Sequence, residues 1–162
     1  MTSTWTIRPA TVDDIDVLID RRFDMFRSMH SDVDEAKMEA LRQPTADYLQ
    51  CALPSGEFSA WLAEGDGQVI GSAAVILHAK LPGIRNPSGR EGYILSVYVD
   101  PAWRRQGIAT ALMNTILDYL RRNNVGTAYL HASAEGRFVY EQLGFESVPH
   151  AMRLYLNPSK PD

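Results

Sequence analysis

The chain has 162 residues, of which 45% are hydrophobic and 22% charged, and it contains a single cysteine. This composition is ordinary for one globular domain over residues 1–162, and the lone cysteine excludes an internal disulfide and a cysteine-based metal cluster. A net charge of −4 argues against a nucleic-acid binder, and the lack of an apolar run of about 18 residues argues against a membrane span.

The first residues, MTSTWTIRP, lack the basic and apolar segments of a signal peptide, so we expect a cytoplasmic protein. Charge is uneven along the chain, because residues 1–50 carry ten acidic and six basic side chains and residues 51–162 carry ten of each. The acidic N-terminal part could attract a cationic substrate, or it could form solvated helix faces.

The N-terminal part begins with a predicted strand over residues 5–8. Thr11 and Asp14 then have the spacing of a capping box, and apolar residues recur at helical intervals, which predicts a helix over 12–29. Ser31 with Asp34 repeats the capping pattern before a second helix. Pro44 must break or restart that helix, and a further short helix is predicted over 45–53.

The middle of the chain reads as strands. Residues 58–64 and 68–78 flank a Gly-Asp-Gly turn, which predicts a hairpin. Gly71 inside the second strand predicts a bulge or a close backbone approach. Residues 79–90 are rich in Pro and Gly and predict a loop, and the run 91–99 is apolar on both faces, which indicates a central strand.

A loop follows that strand and leads into a helix with a continuous apolar stripe. The first N–H groups of a helix have no internal partner, and the helix dipole adds partial positive charge there. Gly107 lets the backbone approach an anion closely and adopt a positive φ, while Arg104 and Arg105 add charge. The sequence therefore predicts a phosphate-binding loop over residues 104–110.

The last part of the chain predicts a strand over 127–132 and a short helix over 135–143, with Ser133 near its start and Gly144 after its end. Two closing strands are predicted over residues 145–148 and 151–156. The order of elements predicts an α/β fold in which helices cover a mixed sheet.

Two motifs carry a family resemblance. Arg104-x-x-Gly107-x-Ala109 fits the pattern Q/R-x-x-G-x-G/A between a strand and an amphipathic helix, and FVYEQLGF follows at residues 138–145. Together they resemble the GNAT superfamily of acyl-CoA-dependent N-acyltransferases, mainly over residues 58–156. The resemblance implies a mixed, mostly antiparallel sheet with a splayed central parallel strand pair, flanked by helices, and acetyl-CoA as acyl donor without a metal.

The resemblance also implies where the donor binds. The pyrophosphate of coenzyme A would lie on the 104–110 loop, and the pantetheine arm between the strands 91–99 and 127–132. Ser133 stands where many relatives have an asparagine, and its hydroxyl could bind pantetheine or cap the helix. The cofactor-binding residues implied are Val97, Tyr98, Val99, Arg104, Arg105, Gln106, Gly107, Ile108, Ala109, Thr110 and Ser133.

Catalytic roles follow from the same resemblance. The N–H of Val97 or Tyr98 could stabilise an oxyanion, and Tyr140, in the family's tyrosine position, could protonate the departing thiolate or simply pack. An amine with a pKa near 10.4 is neutral in only about one molecule in 2,500 at pH 7, so its proton must be removed. Tyr93 stands where some relatives have a carboxylate, and Glu91, on the same strand face, is the candidate base.

The implied function is N-acetylation of a primary amine on a small molecule, by direct attack in a ternary complex. A peptide N-terminus or a lysine side chain is the alternative acceptor. The absent asparagine and the lack of a clear base leave open a non-catalytic acyl-CoA-binding regulatory module. An exposed edge strand near the C-terminus could pair between two copies and give a homodimer.

Overall fold

The computed structural model describes residues 4–156, and one mixed sheet organises them. Its five strands, in their order across the sheet, are β1 (Trp5–Pro9), β2 (Phe58–Gly65), β3 (Gln68–Ala79), β4 (Arg90–Val99) and β5 (Thr127–Tyr129). The first four strands pair antiparallel, and β4 pairs with β5 in parallel. The predicted mixed, mostly antiparallel sheet with a parallel strand pair is therefore confirmed, but the pair lies at one edge of the sheet and not at its centre, because β5 is the last strand.

The helices are α1 (Ile15–Met29), α2 (Glu35–Glu39), α3 (Arg42–Ser55), α4 (Ile108–Arg122) and α5 (Arg137–Gln142). Short 3-10 turns cover Val12–Asp14 and Pro101–Trp103. Two buried clusters lie on opposite faces of the sheet. On one face, α1 and α3 pack on the sheet through side chains such as Ile19, Phe23 and Leu49; on the other, α4 packs through its stripe of Ile108, Leu112, Ile116 and Leu120.

Local capping chemistry sets the starts of the N-terminal helices. The Thr11 N–H donates to Asp14 Oδ2 at 2.8 Å, which confirms the predicted capping box. Asp34 rather than Ser31 caps the second helix, since its carboxylate accepts two N–H groups of the first turn. Pro44 lies in the first turn of α3, where its missing N–H costs no internal hydrogen bond.

A close backbone approach at Gly71 fixes how β3 and β4 meet. Ala63 pairs with Gly71 and Glu64 with Val69, so one residue of β3 bulges next to Gly71. A Cβ atom at Gly71 would lie 2.9 Å from the carbonyl oxygen of Tyr98. The bulge and the close approach predicted for Gly71 are both present.

We expect Gly71→Ala to lower the free energy of unfolding by about 1–3 kcal/mol, because the added methyl overlaps a backbone oxygen that has no freedom to move aside. Urea denaturation measures this difference. Gly83→Ala is the matched control, because a Cβ there meets nothing within 4 Å and the change should leave stability equal or slightly higher. Equal stability of Gly71→Ala and the wild type would contradict the tight packing of β3 on β4.

The parallel pairing of β4 with β5 is short. It comprises Glu91 with Thr127, Gly92 with Ala128 and Tyr93 with Tyr129, whereas β4 continues to Val99. The strand predicted over 127–132 thus ends at Tyr129, because beyond this point β4 and the chain after β5 separate. A groove opens where they part.

The closing strands predicted over 145–148 and 151–156 are wrong. No residue of 145–156 belongs to a strand in the structure, and β5, the edge strand beside which they would have to pair, ends at Tyr129. Apolar side chains of these two runs are exposed instead: Val148 is 74%, Met152 99% and Leu154 80% accessible.

The acidic side chains of the N-terminal helices form ion pairs on the surface. Asp20 lies 2.9 Å from Arg42, and Arg27 lies 3.0 Å from Asp24 and 2.9 Å from Glu35. These carboxylates therefore form a solvated and paired helix face.

Within residues 4–156, no helix is both long and apolar enough to cross a membrane.

Candidate active site

A groove of about 880 Å³ lies where β4 and β5 part. Its walls are the C-terminal half of β4, the start of α4 with the loop before it, the segment from residue 130 to α5, and the second half of α1. The position follows from the topology, because the antiparallel meander ends at β4 and the crossover through α4 brings β5 beside only the first half of that strand. In the part of the chain that the structure describes, the second half of β4 has no paired strand on that side.

The loop before α4 is shaped for an anion. Arg105 and Gly107 have φ of 61° and 79°, and the first backbone hydrogen bond of the helix joins the Ala111 N–H to the Gly107 oxygen at 3.0 Å. The N–H groups of Ile108, Ala109 and Thr110 therefore precede the internal ladder of the helix. Successive N–H groups at left-handed residues and at a helix start form a concave anion site.

Most of the predicted cofactor residues line this groove. The members are Val97, Tyr98, Val99, Arg104, Arg105, Gly107, Ile108, Ala109, Thr110 and Ser133. Gln106 lies on the same loop with an exposed side chain, but it does not line the groove.

Arg104 spans the end of the groove. Its Nε donates to the Val99 oxygen at 3.0 Å, and its Nη1 lies 4.0 Å from the Glu135 carboxylate on the opposite side. The first contact fixes the base of the side chain against β4. The second is long and exposed, so the guanidinium head can exchange Glu135 for another anion at small cost.

A second bulge shapes the groove wall in β4. Ser72 pairs with Tyr98 and Ala74 with Leu95, so Ser96 and Val97 together face the single residue Ala73. Ser96 has φ of 53°, a left-handed conformation that is uncommon for a residue other than glycine. The bulge interrupts the ladder at Ser96 and Val97, where backbone groups become available to a bound molecule.

Tyr140 lies on α5 and contributes to the groove wall. It is half-buried, its ring packs edge-on against Phe145 with centroids 6.0 Å apart, and its hydroxyl makes no hydrogen bond to another described residue. Burial raises the pKa of the Tyr140 phenol above its ordinary value of 10.0. The hydroxyl therefore keeps its proton at neutral pH and is free to donate it.

Glu91 lies outside the groove. It is buried near the start of β4, where Lys80 Nζ lies 2.8 Å and His78 Nε2 3.3 Å from its carboxylate. At about 3.4 Å per residue, six strand residues separate it from Val97 by about 20 Å. This placement argues against the role of general base predicted for Glu91.

Ser133 caps the turn before α5. Its Oγ accepts from the Gly136 N–H at 3.1 Å, and its carbonyl oxygen accepts from the Arg137 N–H at 3.0 Å. Ser133 also lines the groove, and a hydroxyl that accepts one hydrogen bond still has a proton to donate. Capping and binding are thus compatible at this residue.

A second, smaller cavity of about 300 Å³ adjoins the groove on the α1 and α3 side of the sheet. We call it the apolar pocket, after the large apolar side chains in its wall, which are those of Leu18, Leu49, Phe58, Ile76 and Leu95. Arg22, Leu95 and Ser96 line both cavities, so the two meet at the bulge.

Arg22 lies in the site although it is not among the residues predicted from the sequence. Its Nη1 donates to Ser96 Oγ at 2.8 Å, and its guanidinium lies 4.7 Å from the ring centroid of Phe26. Burial lowers the pKa of the Arg22 guanidinium below its ordinary value. A signal was present: Arg22 interrupts the apolar stripe of α1 midway between Leu18 and Phe26, where a helix facing the core should be apolar.

Tyr93 and His131 meet across the mouth of the groove. The Tyr93 hydroxyl lies 3.2 Å from His131 Nδ1, and the Tyr93 ring stacks on Tyr129 at a centroid distance of 4.9 Å. Tyr93, which stands where some relatives have a carboxylate, therefore belongs to the groove wall.

Within residues 4–156, no cluster of three or more His, Cys, Asp or Glu residues could hold a metal ion.

Comparison with known proteins gives this geometry a context. The model of the acetyltransferase (GNAT) family matches residues 22–145. The chain is 28% identical to an uncharacterized N-acetyltransferase from Methanocaldococcus jannaschii over 147 residues, 88% of this chain and 61% of that protein. It is 32% identical to glucosamine 6-phosphate N-acetyltransferase from Trypanosoma brucei brucei over 91 residues, 56% of this chain and 59% of that protein. The chain spans about three fifths of the length of these curated relatives.

A solved structure is similar over nearly the whole chain. It is a predicted acetyltransferase with acetyl-CoA from Clostridium acetobutylicum, 27% identical, with a TM-score of 0.85 over 94% of this chain and 97% of that one. The family model matches most of the chain, and it includes both the loop before α4 and Tyr140. This chain therefore belongs to the GNAT family of acetyltransferases.

Proposed function

We propose that this protein is an N-acetyltransferase that moves an acetyl group from acetyl-CoA to the primary amine of a small molecule. The observation that carries the proposal is the junction at Ser96, where a groove with an anion site at one end meets a small pocket on the α1 and α3 side of the sheet. The arrangement brings a long phosphorylated donor and a compact acceptor to the same point of β4.

The residues present fit a coenzyme A phosphate. A Cβ at Gly107 would meet nothing within 4 Å, so the backbone there is open to a ligand. In this proposal the N–H groups of Ile108, Ala109 and Thr110 bind the pyrophosphate, with Arg104 and Arg105 as counter-charges. The thioester of the donor supplies the activated acyl group.

The chemistry then needs three events. The neutral amine attacks the thioester carbonyl carbon, while the Val97 N–H at the bulge donates to the carbonyl oxygen and stabilises the oxyanion, an effect of about 3–4 kcal/mol. The carbon–sulfur bond breaks, and Tyr140 donates its proton to the departing sulfur. The attacking nitrogen loses its proton to water, and the Tyr140 phenolate regains a proton from water. Water takes this role because Glu135, the one carboxylate among the described residues that lines the groove, lies beside Arg104 at the anion-site end.

The dimensions of the apolar pocket support a small acceptor over a peptide. Ligand pockets commonly enclose about 300–1,000 Å³, and the pocket lies at the lower end with about 300 Å³. Helix α3 closes it on one side through Pro44, Thr45 and Tyr48. An extended peptide would need a longer trough than these walls provide.

Release of coenzyme A from acetyl-CoA, followed across a panel of amines, tests the proposal. The panel contains amino acids, polyamines, aminoglycosides, glucosamine 6-phosphate and short peptides. We expect turnover with at least one small amine, and mass spectrometry should find one acetyl group on its nitrogen. Tight binding of acetyl-CoA without turnover of any amine would contradict the proposed acetyltransferase activity and favour a non-catalytic acyl-CoA-binding module.

A further inference from the structure

The charge inside the apolar pocket is positive and has no carboxylate partner among residues 4–156. Arg22 is the one charged side chain among the described residues that line the pocket. It contacts Ser96 Oγ and the face of Phe26, whereas its neighbour Arg21 pairs with both Asp24 and Asp100. A guanidinium that is partly desolvated and paired only with a hydroxyl and a ring has strong unused capacity for an anion.

The position of Arg22 relates that anion to the reaction. Arg22 lies on Ser96, one residue before Val97, and both Arg22 and Ser96 line the two cavities. An anionic group bound to Arg22 therefore lies at the junction, beside the place where the amine must attack. The anionic group and the amine must be close together on one molecule.

Most of the remaining wall of the pocket is apolar. Leu18, Leu49, Phe58, Ile76 and Leu95 surround the space, and the polar groups are limited to a few hydroxyls. A sugar amine would leave several hydroxyl groups without partners there, at substantial desolvation cost. A branched aliphatic or aromatic side chain would gain about fourfold in affinity for each methylene buried.

We propose that the acceptor is an α-amino acid with an apolar side chain, whose carboxylate binds Arg22. The three substituents of the α-carbon then diverge from the junction. The amine faces the groove, the carboxylate meets Arg22 and Ser96, and the side chain enters the apolar pocket. This inference rests on the proposed function for the reaction, but the recognition of a carboxylate by Arg22 can be measured without turnover.

Matched substrates test the inference on the wild-type protein. L-leucine, leucinamide and 3-methylbutylamine share a branched side chain and an amine, but leucine alone has the carboxylate. We expect the kcat/KM for leucine to exceed the values for both analogues by about 100-fold. Glycine, which keeps the carboxylate but cannot fill the pocket, should also fall by about 100-fold. Equal or better use of the two amines that lack a carboxylate would overturn the inference.

Two arginine variants on one helix test the residue. Arg22→Met should reduce the preference for leucine over 3-methylbutylamine to within about threefold, because the anion loses its partner while the pocket keeps its apolar wall. Arg27→Met is the control, since Arg27 is exposed and pairs with Glu35 on the surface. An unchanged preference in Arg22→Met would overturn the role of Arg22.

Equilibrium binding separates the two proposals. Calorimetry of N-acetyl-L-leucine in the presence of coenzyme A should give an affinity that Arg22→Met weakens by at least about 30-fold and Arg27→Met leaves unchanged. If no amine is acetylated but this difference holds, the proposed reaction fails and carboxylate recognition stands. If amines are acetylated but the product binds equally to both variants, carboxylate recognition fails and the reaction stands.

Discussion

Tyr140→Phe is expected to lower kcat by about 10²–10⁴-fold at pH 7, with a much smaller change in the KM for acetyl-CoA. The phenol lies on the groove wall with its hydroxyl free, and burial raises its pKa, so it holds a proton that a departing thiolate can take. Phenylalanine keeps the ring contact with Phe145 and removes only the donor. Steady-state release of coenzyme A measures the loss.

The pH profile and a second tyrosine serve as controls. The wild-type rate should rise with pH as the amine becomes neutral and fall only above pH 10, where the Tyr140 phenol loses its proton. Tyr119→Phe removes a hydroxyl that bonds Ser59 away from the groove, and its kcat should match the wild type. Equal loss in both variants would mean that Tyr140 is merely structural.

Gly107→Ala is expected to raise the Kd for acetyl-CoA by about 10- to 100-fold, which corresponds to about 1.4–2.7 kcal/mol. A methyl group at Gly107 meets no protein atom within 4 Å, so it projects into the space where the phosphate must approach the start of α4. Isothermal titration calorimetry with acetyl-CoA measures the change.

Gly67→Ala separates binding from backbone strain. Gly67 has φ of 78°, nearly the 79° of Gly107, and a Cβ there also meets nothing within 4 Å. Both variants should lose about 1–2 kcal/mol of stability for placing alanine in the left-handed region. Only Gly107→Ala should weaken acetyl-CoA binding, because Gly67 lies in the β2–β3 turn. Similar weakening in both would contradict a phosphate site at Gly107.

The structural features that depend on residues adjacent in the sequence could be predicted from it. The loop with Gly107, the apolar stripe of α4 and the Thr11 cap each follow from a few adjacent residues, and the structure has all three. The hairpin of β2 and β3 followed from its Gly-containing turn in the same way.

The features that could not be predicted depend on contacts between residues that are distant in the sequence. The run 151–156 has the alternation of a strand, but a strand exists only where another pairs with it. No glycine or proline stands at Ser96 to indicate a bulge in the sequence. Glu91 shares a strand face with Tyr93, but its contact with Lys80 depends on how the 79–90 loop folds back. Arg22 belongs to the site because α1 lies over the bulge, and this packing cannot be predicted from the residues of α1 alone.

Only three residue pairs join β5 to the sheet, whereas β3 pairs with β4 along most of its length. Segments held by so few contacts open more often than the rest of a domain, so we expect faster amide hydrogen exchange and earlier proteolysis over residues 127–156. A donor seated between the two strands would bridge them and slow both processes in proportion to its occupancy. The lifetime of this protein under proteolysis would then follow the supply of its acyl donor.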